Sequence, residues 1–248
     1  MIYLFDGGSG EARQYHVFAD KVVKHIKGKW QSTPDITEND IVLAATRLKI
    51  PHGGIVVRLL GISGNKPLVR QVLIQKGIPT INTWFNEQEA IMPFVARPVS
   101  HSQCKSFYII RSTEDLKQLP RDKKLYYSEI VVPEKEYRVL VFCGEVFAAT
   151  QKPLMGTLED TVKYRIQSHG RRKAVLETLP DEWQQVCTDA VRCAESDFVG
   201  LDLLIVDGKP MICELNDLPM TQLCGSREMF ISEFRKQLAK RQNQQQTK

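Results

Sequence analysis

Apolar and polar positions along the chain repeat with two different periods, and the dominant period changes partway along. Residues 2–5 (Ile-Tyr-Leu-Phe) are an apolar run that reads as a short buried strand, followed by turn chemistry at Asp6-Gly-Gly-Ser-Gly10. Across 11–27, Phe18, Val22 and Ile26 recur on one helical stripe, which predicts a helix. Residues 41–45 read as a second strand. Asn65 is placed to cap a helix that starts near Lys66, buries Leu68, Val72 and Leu73 or Ile74, and ends at Gly77. Residues 79–83 read as a third strand. Strand and helix in alternation make an α/β opening, which ends near residue 95.

From there a period of two dominates. Residues 92–99 and 106–111 read as strands around a polar loop, and Ser112-Thr-Glu-Asp115 fits a capping box that starts a helix. Strands are expected at 126–132, 137–142 and 146–151, jointed by Pro133-Glu-Lys135 and Cys143-Gly144-Glu145. Residues 181–196 have helical spacing, with Trp183, Val186, Ala190 and Cys193 or Ala194 inward. A hairpin of 199–206 and 210–216 follows, then a helix near 226–240. The expected division is an N-terminal α/β unit over 1–95, a strand-rich unit over 96–235 and a flexible basic, Gln-rich tail over 236–248.

Composition changes this picture little. The chain has 248 residues, 42% hydrophobic and 25% charged, which is ordinary for a globular protein. No apolar run approaches the ~18–20 residues of a membrane span, and the start, Met-Ile-Tyr-Leu-Phe-Asp, has no basic leader region. The net charge of +5 invites a nucleic-acid reading, but its distribution does not support one. Residues 1–95 carry 11 basic and 8 acidic groups, 96–232 carry 18 and 20, and 233–248 carry 5 and 1. A slightly acidic middle argues against a broad phosphate-binding face there, and the tail reads as a frayed helix end. The six cysteines form no CxxC pair and have no histidine at zinc-finger spacing, so a reduced, cytoplasmic protein is expected. Gly7-Gly-Ser-Gly10 lacks the Lys-Ser/Thr of a phosphate-binding loop and reads as a tight turn.

Chemistry concentrates in the stretch from Gly200 to Asp217. A two-residue loop, Asp207-Gly208, mixes both faces of the hairpin. A three-residue loop, Asp207-Gly208-Lys209, puts Leu201, Leu203, Ile205, Met211, Cys213 and Leu215 on one wholly apolar face, and burial of one face sets the register. The three-residue loop is therefore expected. Asp202 then lies across from Glu214, with Asn216, Leu204 and Ile212 on the same face. Two carboxylates that close repel, so a positive partner is expected between them. Few, hard oxygen ligands suit Mg²⁺, which fills its octahedron with phosphate oxygens and water; the plainer reading is a solvated polar face.

Arg138 and Lys152 supply the opposite sign. With an odd-length loop between their strands they share a face, and Glu136 joins them. Two cations beside the carboxylate pair suit a polyphosphate. Arg165, His169, Arg171 and Arg172 are further donors in an expected loop, the last two more in keeping with plain surface charge.

The order of these motifs resembles the ATP-grasp superfamily, and within it the RimK-like carboxylate–amine ligases. The strand with Glu129, Glu-Tyr-Arg-Val-Leu-Val-Phe-Cys-Gly, Lys152, then Gly-Leu-Asp-Leu-Leu and Cys-Glu-Leu-Asn-Asp-Leu-Pro carry the resemblance, which runs from about Asn65 to Pro219. It implies an α/β (α+β) fold: a pre-ATP-grasp domain followed by two α+β lobes clasping nucleotide. It also implies an enzyme that uses ATP and Mg²⁺ (or Mn²⁺) to join a carboxylate substrate to an amine through an acyl phosphate. Carried onto this sequence, Asp202, Glu214 and Asn216 would hold the metal, and Arg138 and Lys152 would contact phosphates or the acyl phosphate. Lys66 would contact phosphate, Glu129 would mark the hinge strand, backbone groups of Ile130 and Val131 would read adenine, and Leu204 would floor its pocket.

Two features depart from the family. Arg97 stands where a lysine is usual, and the loop Ser100-His-Ser-Gln-Cys-Lys-Ser106 has no glycine where the phosphate lid is usually Gly-rich. Without glycine the backbone N–H groups approach phosphate less closely, leaving His101 and Lys105 as side-chain donors. This keeps open a second reading, a nucleotide-binding module that does not ligate. A nucleic-acid binder ranks last, because it leaves Asp202, Glu214 and Asn216 unexplained.

Overall fold

The computed structural model describes residues 2–5, 24–26, 40–44, 55–58, 62, 65–99, 107–152, 154, 177–216 and 227–246. Their strands form three four-stranded sheets. The N-terminal sheet is parallel, in the order β2 (Lys24–Ile26), β1 (Ile2–Phe5), β3 (Ile41–Ala44), β4 (Ile55–Arg58). The stripe over 11–27 therefore does not end as a helix: Ile26 pairs with Phe5 in a strand, and tertiary pairing overrides local periodicity. Residues 6–23 lie outside the described residues. β4 was not expected, although the β-branched run Ile55-Val-Val57 is a strand signal.

The middle sheet is antiparallel, in the order β5 (Thr83–Trp84), β8 (Leu125–Glu129), β6 (Phe94–Pro98), β7 (Tyr108–Ile110). The C-terminal sheet is also antiparallel, in the order β10 (Glu145–Lys152), β9 (Lys135–Phe142), β11 (Phe198–Val206), β12 (Lys209–Asn216). One face of it packs on α1 (Lys66–Gln75) and α3 (Asp181–Cys193), through Val69, Leu73, Cys187, Ala190 and Val191 against Val139, Leu201, Leu203 and Leu215.

Asn65 does cap α1, its side chain accepting from the Leu68 N–H at 3.3 Å. The buried stripe is rotated from the expected one: Pro67, Val69, Arg70 and Leu73 face in, while Leu68 and Ile74 are exposed. α1 was expected within the N-terminal unit, yet it belongs by packing to the core of the C-terminal sheet. Residues 79–81 run beside β12, with Ile212 N donating to Pro79 O at 2.8 Å, before the chain enters β5.

The capping box holds: Ser112 caps α2 (Thr113–Lys117), and Asp115 returns a bond to the Ser112 N–H. α4 (Arg227–Gln246) extends well into the segment expected to be a flexible tail. The reason is packing, since Leu238 is 1% exposed and Lys240 Nζ sits 2.6 Å from Glu145 Oε2. No helix among the described residues is long and apolar enough to cross a membrane.

Candidate functional site

Both hairpins of the C-terminal sheet use one device. Asp207 and Gly208 have φ of 49° and 72°, and Cys143 and Gly144 have 50° and 80°. Paired positive φ values make two-residue turns that match strand twist. Neither the three-residue loop at 207–209 nor the odd-length joint at 143–145 is present: Val206 pairs with Lys209 and Phe142 with Glu145. Each ladder then gains one residue by a bulge, at Cys213 in β12 and Phe147 in β10. Beyond the bulges the pairing is the one an odd loop would give, and Asp202 faces Glu214. On the turn side it differs. Ile212 joins the core with Leu203, whereas Cys213 and Met211 pack with Leu204.

This register lines up the polar residues in rows across four strands. One row reads Thr150, Arg138, Asp202, Glu214, and the next reads Lys152, Glu136, Leu204, Met211. Within them Arg138 Nε lies 3.0 Å from Asp202 Oδ1, and Lys152 Nζ lies 2.8 Å from that oxygen and 2.9 Å from Glu136 Oε1. Lys66, at the first turn of α1, reaches Glu214 Oε1 at 2.6 Å. With the Asn216 amide oriented to satisfy both neighbours, its nitrogen donates to Glu214 Oε1 at 2.8 Å and its oxygen accepts from Arg138 Nη1 at 2.9 Å. Each carboxylate thus has a cation of the chain beside it, Arg138 and Lys152 at Asp202 and Lys66 at Glu214, and none of these pairs bridges the two.

Among the described residues no group of three or more His, Cys, Asp or Glu side chains could hold a metal. A metal here would rest on two carboxylates and one amide oxygen. That set fits Mg²⁺, which commonly takes one or two carboxylates and draws its other ligands from phosphate and water.

No protein-family model and no curated protein matches the sequence. Solved structures do. An ATP-grasp ligase, PsnB, solved with its minimal precursor, Mg and ADP, aligns with a TM-score of 0.58 at 13% identity, covering 89% of this chain and 89% of that one. D-alanine–D-alanine ligase from Bacillus anthracis, solved with ATP, gives 0.58 at 16% identity over 98% and 97%. N5-carboxyaminoimidazole ribonucleotide synthetase from Thermotoga maritima gives 0.52 at 12% over 89% and 69%. The chain has the ATP-grasp fold. At these identities the likeness is one of fold.

Of the residues expected to read adenine, Leu204 and Val131 lie in one buried apolar cluster at the β12 end of the second row. Leu204, Ile81 and Cys213 form a small apolar cluster with Val131, Val206 and Met211 against it. Ile130 and Val131 follow directly on β8. Both oxygens of Glu129 are held by Asn82, from its backbone N–H and its Nδ2, each at 2.9 Å. Arg97 lies in β6 opposite Tyr126, and its Nε is buried without a hydrogen-bond partner among the described residues. Lys105, His101, Arg165, His169, Arg171 and Arg172 lie outside the described residues.

Sequence reasoning missed Arg70. It is 4% exposed, donates to Thr83 Oγ1 at 3.2 Å and Cys213 O at 2.9 Å, and lies 5.9 Å from the Tyr126 ring centre. Burial pushes its pKa below the usual guanidinium range, and the nearby Arg97 charge acts in the same direction. The available signal was helical phase: position 70 lies between Val69 and Leu73 on the inward face.

Proposed function

We propose that the protein is an ATP- and Mg²⁺-dependent carboxylate–amine ligase of the RimK-like branch, acting through an acyl phosphate. The observation that carries the reading is the aligned row Arg138, Asp202, Glu214, flanked by Lys152 and Asn216, on the face of an ATP-grasp sheet. Asp202, Glu214 and Asn216 would hold Mg²⁺, or Mn²⁺ in its place. The ion would supply charge neutralisation at the transferred phosphoryl group. Lys66 and Arg97 would bind phosphate oxygens, as would Lys105. Adenine would rest on Leu204 beside the backbone of Ile130 and Val131, with Glu129 fixing the hinge strand.

In the reaction, a substrate carboxylate oxygen attacks the γ-phosphorus of ATP and the bond to the β-phosphate oxygen breaks, releasing ADP. An amine then attacks the acyl carbon, the acyl–phosphate C–O bond breaks, and inorganic phosphate leaves as the nitrogen loses a proton. Arg138 and Lys152 would stabilise the negative charge that grows in both steps, so positioning and electrostatics carry the catalysis. Substrates would be a small molecule, a peptide or a protein terminus. We further propose a division between Arg58 and Asn65, with the N-terminal sheet as the pre-ATP-grasp unit, and a reduced cytoplasmic setting, supported by the free thiols of Cys143, Cys187, Cys193 and Cys213.

Hydroxylamine with Mg-ATP tests the reading, because an acyl phosphate is trapped as a hydroxamate and ADP accumulates. No ADP from folded protein across acid and peptide pools counts against catalysis. Thermal stabilisation by Mg-ATP without ADP favours the non-ligating nucleotide-binding module instead, for which the glycine-free 100–106 loop is the supporting feature.

A further inference from the structure

We propose that Arg70 is a positioning residue: it ties the bulged carbonyl of Cys213 to Thr83 of the middle sheet and so holds Glu214 in line with Asp202. Burying a guanidinium is costly unless its N–H groups find acceptors. Two of the Arg70 N–H groups donate to acceptors far apart in sequence, Thr83 Oγ1 and the Cys213 carbonyl, and the guanidinium lies over the Tyr126 ring. Thr83 is itself fixed, since its hydroxyl donates to Ile81 O at 3.0 Å.

The acceptor on β12 is the informative one. Cys213 is the residue that the β11–β12 ladder skips. A bulge locally disrupts its ladder and bends its strand, so the orientation of the next residue needs an anchor outside the ladder. That next residue is Glu214. The same helix supplies both restraints, because Arg70 holds the Cys213 carbonyl and Lys66 pairs with the Glu214 carboxylate. One turn of α1 thereby sets backbone and side chain of the position that must face Asp202. Arg70 touches neither nucleotide nor substrate in this scheme and acts through Glu214.

What Glu214 does rests on the ligase reading; where it sits does not, and the test separates the two. Amide hydrogen exchange in nucleotide-free protein reads the strut. Arg70→Met should speed exchange over residues 210–216 at least tenfold while 135–142 stays as in wild type, and Thr83→Val should give a smaller change in the same segment. ATP affinity with Mg²⁺ divided by ATP affinity in EDTA reads the consequence. That ratio should fall about tenfold in Arg70→Met and less in Arg70→Lys, and Arg70→Met should add nothing in a Glu214→Gln background. Exchange that is unchanged at 210–216, or that rises equally across the C-terminal sheet, overturns the proposal. So does an unchanged metal ratio in a wild type that shows metal-dependent binding. If wild type binds ATP with no metal dependence, the ligase reading fails and the exchange experiment alone decides the strut. If Arg70→Met does not fold, Arg70→Lys and Thr83→Val carry the same measurements.

Discussion

Removing Asp202 is the sharpest perturbation of the charged row. Its Oδ1 lies against two cations, Arg138 at 3.0 Å and Lys152 at 2.8 Å, whose side chains are only 13% and 21% exposed. The row as a whole is balanced, with Lys66, Arg138 and Lys152 against Glu136, Asp202 and Glu214. Asp202→Ala leaves one positive charge in excess in a poorly hydrated place. Stripping one partner from a buried pair costs about 3–5 kcal/mol. Here each cation keeps a second partner, Glu136 for Lys152 and Asn216 for Arg138, so the expected loss is ~2–3 kcal/mol, against a typical total of ~5–15. Asp202→Asn keeps an acceptor and should lose less. Urea denaturation measures the loss, and a cycle with Lys152→Met shows whether it comes from the cluster. Groups in one network couple by ~0.5–3 kcal/mol, so Asp202→Ala should cost at least ~1 kcal/mol less in the Lys152→Met background. Additive losses, or a single-mutant loss below ~0.5 kcal/mol, would refute the electrostatic account.

Three further outcomes are expected. Burial pushes the Cys187 thiol up to about 12 from its ordinary 9.0; the unfolded thiol therefore ionises first, and stability falls as pH rises from 9 towards 12 by about 1.4 kcal/mol per pH unit. Tyr127, Tyr137 and Cys193 are raised as well, so Cys187→Ala should make the decline of urea midpoints across the window shallower by that amount rather than flat. Leu238→Ala should cost ~2–4 kcal/mol by calorimetry, whereas Lys240→Ala, at an exposed ion pair, should cost under ~1 kcal/mol; equal losses would contradict the docking of α4 by burial. Ser112→Ala should cost ~1 kcal/mol through the lost cap. Bonds from the Arg111 N–H and from Ser112 hold the Asp115 carboxyl below its usual range, so its contribution is present above pH 3.8 and lost as pH falls through the lowered value, where the gap between the wild type and Ser112→Ala curves should narrow to the cap bond from the Asp115 N–H alone.

Most strands were legible because alternation and turn residues are local. Phe198–Val206, Lys209–Asn216 and the helix Asp181–Cys193 lie within a few residues of their expected bounds. Face assignments were legible where burial forces them, as at Asp202 and Glu214. The contacts of Lys66 and Arg70 were not, because both reach β12 from α1, in Arg70's case across 143 residues of sequence, and no local period encodes a partner that distant. The same limit explains Ile26, whose helical phase was outweighed by a strand partner elsewhere.

The parity of the two outer strands shows why the bulges form at all. With two-residue turns and unbroken ladders, Arg138 would pair with residue 149 and Asp202 with Cys213. Lys152 and Glu214 would then turn onto the face occupied by Leu201, Leu203, Cys187 and Ala190. Burying an unpaired ammonium or carboxylate there costs far more than breaking one ladder step, which forfeits about 1 kcal/mol of net hydrogen bonding. One skipped residue in each outer strand returns both charges to the opposite face. The skipped residues find apolar company there: Phe147 lies 6.1 Å from the Phe198 ring, and Cys213 packs with Ile81 and Leu204. The apolar core on one side of the sheet thus dictates the charge array on the other, and the alignment of Arg138, Asp202 and Glu214 follows from hydrophobic burial before any ligand is considered.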